Sequence, residues 1–265
     1  MQISQTPPPV ADRDSLADPV AAAEATLRSL PAVSDRWAMF LDIDGTLVDL
    51  ADSPDGIVVE EGLPARLTRL SGLLGGALAL VTGRSLARAE AMFMPARLPI
   101  AGLHGAELRG ADQPPPPRDY LIAKAGAASF AERTPGVLFE DKGLAFALHY
   151  RGLPQAEADV RREMEAALAS AGSDFQLQSG KMVAELRPAS GDKGTAIAAF
   201  LARAPFQGRL PLAIGDDLTD EAMFRSAADR GGRGIRIGPT LEGSAATERL
   251  PTPAALRALL AEIVR

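Results

Sequence analysis

Cysteine is absent from all 265 residues, which excludes thiol nucleophiles, disulfides and Cys-based zinc sites. Basic charge is scarce beside acid: 28 Lys and Arg face 34 Asp and Glu, a formal net charge of −6. A general nucleic-acid surface needs a basic footprint, so no nucleic-acid partner is expected, although a local cationic site for a small phosphorylated molecule is compatible with an acidic protein. No apolar run approaches a membrane span, and the first 35 residues lack the basic start and apolar core of a signal peptide. The expectation is a cytoplasmic protein with no membrane partner. Lysine is the scarcest cation, limited to Lys124, Lys142, Lys181 and Lys193, so where it occurs a compact ammonium is a candidate for a specific role.

What is present is enough apolar sequence, 46% of the chain, to bury a core domain and a sizeable insertion. The chain is organised around residues 37–50, WAMFLDIDGTLVDL. Trp37 to Leu41 suits a fully buried strand and stops abruptly in acid. Asp42 and Asp44 stand two apart, so an extended chain presents both carboxylates on one side, and Gly45 lets the backbone turn away. In an α/β sheet that place is the ligand crevice at the carboxyl ends of the strands. Adjacent carboxylates repel unless a cation or shared proton neutralises them, which points to a hard divalent metal, most simply Mg²⁺.

Strand, polar tip and helix then recur. The leucines of Leu63 to Leu74 have helical spacing. Ala77 to Val81 reads as a strand ending at Thr82-Gly83-Arg84, before a helix that Ser85 can cap. Leu98 to Leu103 is a third strand candidate, closing at His104-Gly105. Ahead of all this, the prolines at 7–9 suggest a loose leader, and Pro19 to Leu30 an alanine-rich helix packed on the outside. The four-proline run Pro114 to Pro117 marks an extended connector. Beyond it the pattern predicts a helix (Leu121 to Glu132), two strands (Val137 to Lys142, Leu144 to Arg151), a helix (Gln155 to Ala171) and a hairpin (Phe175 to Gln178, Lys181 to Arg187) turning at Ser179-Gly180. Residues 187–191 form the returning hinge. The parallel pattern resumes with a helix capped by Asp192 and running through Ala202. A strand, Leu210 to Ile214, ends in Gly215-Asp216-Asp217; a further strand spans Gly234 to Ile237 and a closing helix Ala254 to Val264. The expected organisation is a leader at 1–35, a core at 36–113 and 189–265, and an inserted αββαββ unit at 114–188.

Each core strand delivers polar groups to the same sheet edge: Asp42 and Asp44, Thr82, then Asp216 and Asp217, with Lys193 opening the intervening helix. Together these suit phosphoryl transfer, where catalysis is mainly positioning and charge neutralisation. A metal held by Asp42, the Asp44 carbonyl and Asp216, with Asp217 adjacent, offsets repulsion from one side, and Lys193 from another. Thr82 and nearby amides bind phosphoryl oxygens, with Gly83 and Arg84 beside them. Of Asp42 and Asp44, one is a nucleophile and the other an acid and base; chemistry alone leaves the roles exchangeable. In the insertion, Glu140 and Lys142 share a strand face by period two, as do Lys181, Val183, Glu185 and Arg187. Carboxylates and cations offered together suit a polyol. Asp220 and Glu221 read as first-turn acids, with a supporting role beside the metal as the alternative, and His104 and His149 as structural hydrogen bonders, with substrate contact the alternative for His104. The glycines and arginines of 229–238 read as a solvated connector.

DIDGT at 42–46, Thr82 at a strand end, Lys193 before a helix and GDD at 215–217 resemble, in this order, the four motifs of the haloacid dehalogenase (HAD) superfamily. Within it, LDIDGTL, VTGRS, GLHGAE, Glu140, Lys142 and Gly143 with His149 to Arg151, GKMVAELRP, DKGTAI and GDDLTDE are similar to the trehalose-6-phosphate phosphatase family. The resemblance covers the chain from about residue 38 onward. It implies a HAD-like Rossmannoid core with a cap and Mg²⁺-dependent hydrolysis of trehalose 6-phosphate, a small-molecule substrate; the chain itself is expected to be a monomer. It also implies Asp42 as nucleophile, and Glu140, Lys142 and Glu185 reaching the sugar hydroxyls. The rivals are a phosphatase of another sugar phosphate, a phosphomutase, and a phospho-accepting receiver module. The last needs about half this length and no cap. An EF-hand is excluded because Leu47 and Ser53 stand where its glycine and glutamate belong.

Overall fold

A computed structural model describes residues 18–51, 56–109 and 115–265; the prolines at 7–9 and Pro114 lie outside them. In chain order the elements are α1 (Pro19–Ser29), β1 (Trp37–Leu41), α2 (Leu63–Leu73), β2 (Leu78–Val81), α3 (Leu86–Phe93), β3 (Ile100–Gly102) and β4 (Glu107–Leu108). Next come α4 (Arg118–Arg133), β5 (Leu138–Asp141), β6 (Phe146–His149), α5 (Glu157–Ala171), β7 (Phe175–Gly180) and β8 (Val183–Pro188). The chain closes with α6 (Lys193–Leu201), β9 (Leu210–Gly215), α7 (Glu221–Ala228), β10 (Arg233–Ile237), β11 (Glu248–Leu250) and α8 (Pro253–Ile263). Among the described residues no helix is long and apolar enough to cross a membrane.

Seven strands form one sheet in the order β11-β10-β9-β1-β2-β3-β4, parallel throughout except for antiparallel β4 at the edge. Strand β1 is central and buried along its whole length. Its period of two divides its side chains between both faces: Trp37, Met39 and Leu41 pack with α1, α2, α3 and α8, and Ala38 and Phe40 with α6 and α7. The connections run outward one way through β2 and β3 and the other way through β10 and β11, so the order reverses between β1 and β9. That reversal opens a crevice at the strands' carboxyl ends. Leu41 pairs with Ile214 there, and the Asp42 amide donates to the Ile214 carbonyl at 2.9 Å.

The second sheet, β5-β6-β8-β7, is antiparallel, and with α4 and α5 it gives the expected αββαββ order. One of its faces carries Phe146, Leu148, Phe175 and Leu186 against Tyr120, Ala127, Val160 and Met164 of the helices, a cluster separate from those of the larger sheet. The opposite face is polar.

Several boundaries differ from the sequence expectation. The second hairpin turns at Lys181-Met182, not Ser179-Gly180, because pairing continues to Gly180 opposite Val183 and Met182 takes the left-handed conformation at φ 60°; Lys181 therefore lies in the turn. Helix α4 starts at Arg118, directly after Pro117, whose fixed φ leads into it. Ser85 occupies the cap position of α3 without a capping bond; the Glu107 carboxylate accepts from the Leu86 amide instead, at 2.6 Å. The segment before β1 is more than an outer covering, since Ala23, Leu27 and Leu30 are fully buried in the main cluster. Replacing Leu27 by Ala is therefore expected to cost about 2–5 kcal/mol in urea unfolding; a loss below about 0.5 kcal/mol, the value for a loose leader, would contradict this packing.

Candidate active site

The site assembles at the sheet's switch point. Asp42 follows β1 directly and is buried. Gly45 carries the turn at φ 78°, and a Cβ placed there would lie 2.2 Å from Asp216 Oδ2, so only glycine lets the two strand ends approach this closely. Thr46 donates to Asp216 Oδ1 at 3.4 Å. Lys193 is the first residue of α6, whose start is fixed by a reciprocal Asp192–Thr195 capping box. Its buried ammonium donates at 2.6 Å to both Asp42 Oδ1 and Asp220 Oδ1. The other Asp220 oxygen accepts from the Asp216 and Asp217 amides, each at 2.9 Å.

One carboxylate oxygen from each of Asp42, Asp216 and Asp220 lies within 4.8 Å of the other two. Burial, then the neighbouring Asp220 charge, pushes the Asp42 carboxyl well above the usual range despite Lys193. Asp216 is pushed up to about 7 by burial and by Asp220 and Asp217. Burial alone would weaken the Lys193 ammonium, but Asp220 and Asp42 outweigh it and hold its pKa above the ordinary value. Three carboxylates share one ammonium, and an all-oxygen donor set with excess negative charge fits a hard divalent cation.

The structure groups Asp42 and Asp216 with Asp220, not with the carboxylates of Asp44 or Asp217. Asp44 is held by Arg84 in a two-pronged pair, both contacts at 2.7 Å. Asp217 accepts from the Leu218 amide at 2.6 Å, capping the short turn that follows. Asp220 is the residue that the first-turn reading undervalued; its spacing of four from Asp216 is the signal that a turn folds it back onto the strand end. Thr82 is fully buried and accepts from the Arg84 amide at 3.1 Å. Gly83 lies against His104, where a Cβ would come within 2.7 Å of the ring. His104 and Leu103 both have positive φ, 58° and 47°, a strain that the bond from the His104 amide to the Thr82 carbonyl, 2.9 Å, helps to hold. Burial keeps His104 well below its ordinary pKa, with Lys193, Arg187 and Lys142 acting in the same direction.

The polar face of the smaller sheet carries the remaining candidates. Glu140, Ala147, Glu185 and Gln178 stand opposite one another across all four strands, so the two glutamates share a row. Lys142 donates to Glu185 Oε2 at 2.6 Å and lies 3.9 Å from Glu140. Glu140 also meets His149 Nε2 at 2.9 Å and Arg88 of α3 at 3.8 Å. Burial would raise Glu140, yet His149, Lys142 and Arg88 hold it below the usual carboxylate range. Glu185 Oε1 is buried and has no hydrogen-bond partner among the described residues. Arg187 is engaged by Gln178 at 2.7 Å and by the hinge carbonyl of Gly191 at 3.2 Å. The connector at 229–238 is structural: Arg233 meets Glu248 at 2.8 Å and Arg236 meets Glu221 at 3.4 Å.

Residues 40–250 match the family described as Trehalose-phosphatase. The chain belongs to the trehalose-phosphatase family. It is 49% identical over 251 residues to a probable trehalose-phosphate phosphatase of Sinorhizobium fredii (strain NBRC 101917 / NGR234), covering 93% of this chain and 95% of that protein. It is 40% identical over 221 residues to the trehalose-6-phosphate phosphatase of Escherichia coli (strain K12), covering 80% and 81%. The fold is similar to the C-terminal domain of the Candida albicans trehalose-6-phosphate phosphatase, with TM-score 0.74, 20% identity and coverage of 95% and 99%. A phosphatase of the haloalkanoate (HAD) superfamily from Bacteroides thetaiotaomicron shares it at TM-score 0.57, 16% identity and coverage of 97% and 99%. The α/β core with a parallel sheet is therefore the HAD-type phosphatase fold expected from the motifs.

The raised Asp216 carboxyl sets a pH dependence. Between its unfolded value near 4 and its folded value of about 7, the native state binds a proton that the unfolded chain does not, so stability falls as pH rises and the deficit is complete above that window. A divalent cation requires the ionised form. Mg²⁺ is expected to raise Tm by several degrees more at pH 8 than at pH 5.5, read by calorimetry against Na⁺ of equal ionic strength. An equal shift at both pH values, or none, would contradict the carboxylate cluster as its site.

Proposed function

We propose that the chain is a Mg²⁺-dependent phosphatase that hydrolyses trehalose 6-phosphate to trehalose and phosphate through an aspartyl-phosphate on Asp42. The observation that carries this is the buried Asp42–Lys193–Asp220 contact, at 2.6 Å on each side, at the switch point of the parallel sheet. Family membership supplies the substrate class. The division into a core at 36–113 and 189–265 and a cap at 114–188 is supported by the two sheets with separate apolar clusters. Core and cap of one chain complete the site, which supports a monomer; the compartment is read as cytoplasmic.

Asp42, Asp216 and Asp220, with the Asp44 carbonyl and Asp217 nearby, would hold Mg²⁺, which when bound supplies positive charge beside the phosphoryl oxygens. Lys193 orients Asp42 and neutralises charge on the transferred group. Thr82, the amide of Gly83 and Arg84 bind the remaining phosphoryl oxygens, and Arg84 exchanges its hold on Asp44 for the incoming anion. An Asp42 oxygen attacks phosphorus as the phosphorus–sugar oxygen bond breaks, and Asp44 gives its proton to the leaving oxygen. Asp44 then accepts a proton from the water that attacks phosphorus, the phosphorus–Asp42 bond breaks, and Asp42 is regenerated. Glu140, Lys142, Glu185 and Arg187 face this centre from the cap. The unpaired Glu185 Oε1 is an acceptor for a sugar hydroxyl, since a buried acceptor without a donor costs about 1–3 kcal/mol.

Asp42→Asn is expected to lower steady-state phosphate release by at least about 10⁴-fold without changing Tm greatly; turnover near wild type in a clean preparation would remove Asp42 from the nucleophile role. Glu185→Ala should lower kcat/KM on trehalose 6-phosphate by about 10- to 100-fold and on p-nitrophenyl phosphate far less. Equal losses on both would place Glu185 outside the sugar contacts.

A further inference from the structure

The polar cap face is graded along the strands, and that grading runs away from the core. Strand β8 ends at the hinge toward the core and β5 leads into the turn at Lys142-Gly143, where a Cβ on Gly143 would lie 3.7 Å from Glu107 of the core sheet. The row nearest the core therefore holds Lys142 and Arg187, the latter opposite Gln176. The next holds Glu140 and Glu185. The third holds Leu138, His149, Val183 and Gly180, which pair across the four strands. Cations thus lie nearest the phosphoryl centre, carboxylates beyond them and mostly apolar side chains farthest out. Successive rows on one face are two residues apart, about 6.8 Å, a step comparable to the span of one hexopyranose ring.

The outer row is unusual for a solvated sheet face. Leu138 is 66% exposed although it stands directly beside the hydrogen-bonded Glu140–His149 pair. Exposure alone decides little, because Leu50, Val58, Met94, Leu121, Ile122 and Leu218 are also exposed. What distinguishes Leu138 is that it shares one row with Val183, two strands away across His149, on the face whose Glu140 reaches Arg88 of the core helix α3. Sugar rings present carbon-bound hydrogens on their faces and hydroxyls on their rims, and so take apolar platforms edged by hydrogen-bonding groups.

We infer that Leu138 and Val183, with His149 between them, form the subsite for the remote, unphosphorylated ring of a disaccharide phosphate. This rests on the substrate class proposed above. The carboxylate row engages the ring nearer the phosphate, and the outer row engages the second ring, so the outer row separates disaccharide from monosaccharide phosphates. His149 acts as a positioning residue for Glu140, tying the two rows together.

The test compares trehalose 6-phosphate with glucose 6-phosphate for wild type, Leu138→Ala and the double variant Leu138→Ala/Val183→Ala, with Tm as the check on folding. Removal of the apolar platform is expected to reduce the ratio of kcat/KM values, disaccharide over monosaccharide, by about tenfold in the double variant, chiefly through a higher KM for trehalose 6-phosphate. If wild type prefers trehalose 6-phosphate and the ratio is unchanged, or both substrates lose equally, the subsite is wrong while the substrate reading stands. If wild type prefers glucose 6-phosphate, both are overturned. Leu138→Ala alone decides the matter if the double variant does not fold, since Leu138 is exposed and its truncation leaves no cavity.

Discussion

The repulsion among Asp42, Asp216 and Asp220 is the constraint on which the rest of the structure depends. With one oxygen of each within 4.8 Å of the others, every ionised pair repels by roughly 3.5 kcal/mol or more at an effective dielectric of about 20. With one ammonium for three carboxylates, the fully ionised cluster keeps an excess of two negative charges. The fold brings Lys193 into direct contact with Asp42 and Asp220, yet burial and mutual repulsion still raise both Asp42 and Asp216, a state that favours a second cation. Neighbouring strands β1 and β9 supply two of the acids at the switch point, Gly45 permits the close approach, and the turn before α7 folds Asp220 back. The same excess charge that disfavours the metal-free site makes it selective for cations and for the groups that arrive with them.

The core and the cap divide the chemistry. In the proposed mechanism the core groups surround the phosphoryl group, and none of them distinguishes one leaving alcohol from another. The cap face offers cations, carboxylates and apolar side chains in successive rows, so we assign discrimination to it. Among the described residues, one polar contact between the two parts is Arg88 with Glu140 at 3.8 Å.

Much of this was legible in the sequence. Buried strands announce themselves as short apolar runs, and acids at their ends, Asp42, Asp44 and Asp216, fall at one sheet edge because parallel strands share direction. The αββαββ order and the common face of Glu140 with Lys142 followed from period and punctuation. What was not legible depends on contacts distant in sequence. Asp220 looks like any first-turn acid until the turn folds it onto Lys193. The cap of α3 comes from Glu107, 21 residues away, so Ser85 was a misleading local signal. Parity assigns Glu185 to a face, but only register sets it in one row with Glu140. A left-handed Met182 has no sequence marker, which shifted the hairpin turn, and edge strands as short as β4 and β11 leave too few residues for a period.

The most direct measurement is phosphate release by the wild-type chain from trehalose 6-phosphate, glucose 6-phosphate and sucrose 6-phosphate, each with Mg²⁺ and with excess chelator. The charge-neutralised carboxylate site under a disaccharide-reading cap predicts metal-dependent release with strong preference for trehalose 6-phosphate. Release that persists in chelator, or a preference for another sugar phosphate, would contradict it.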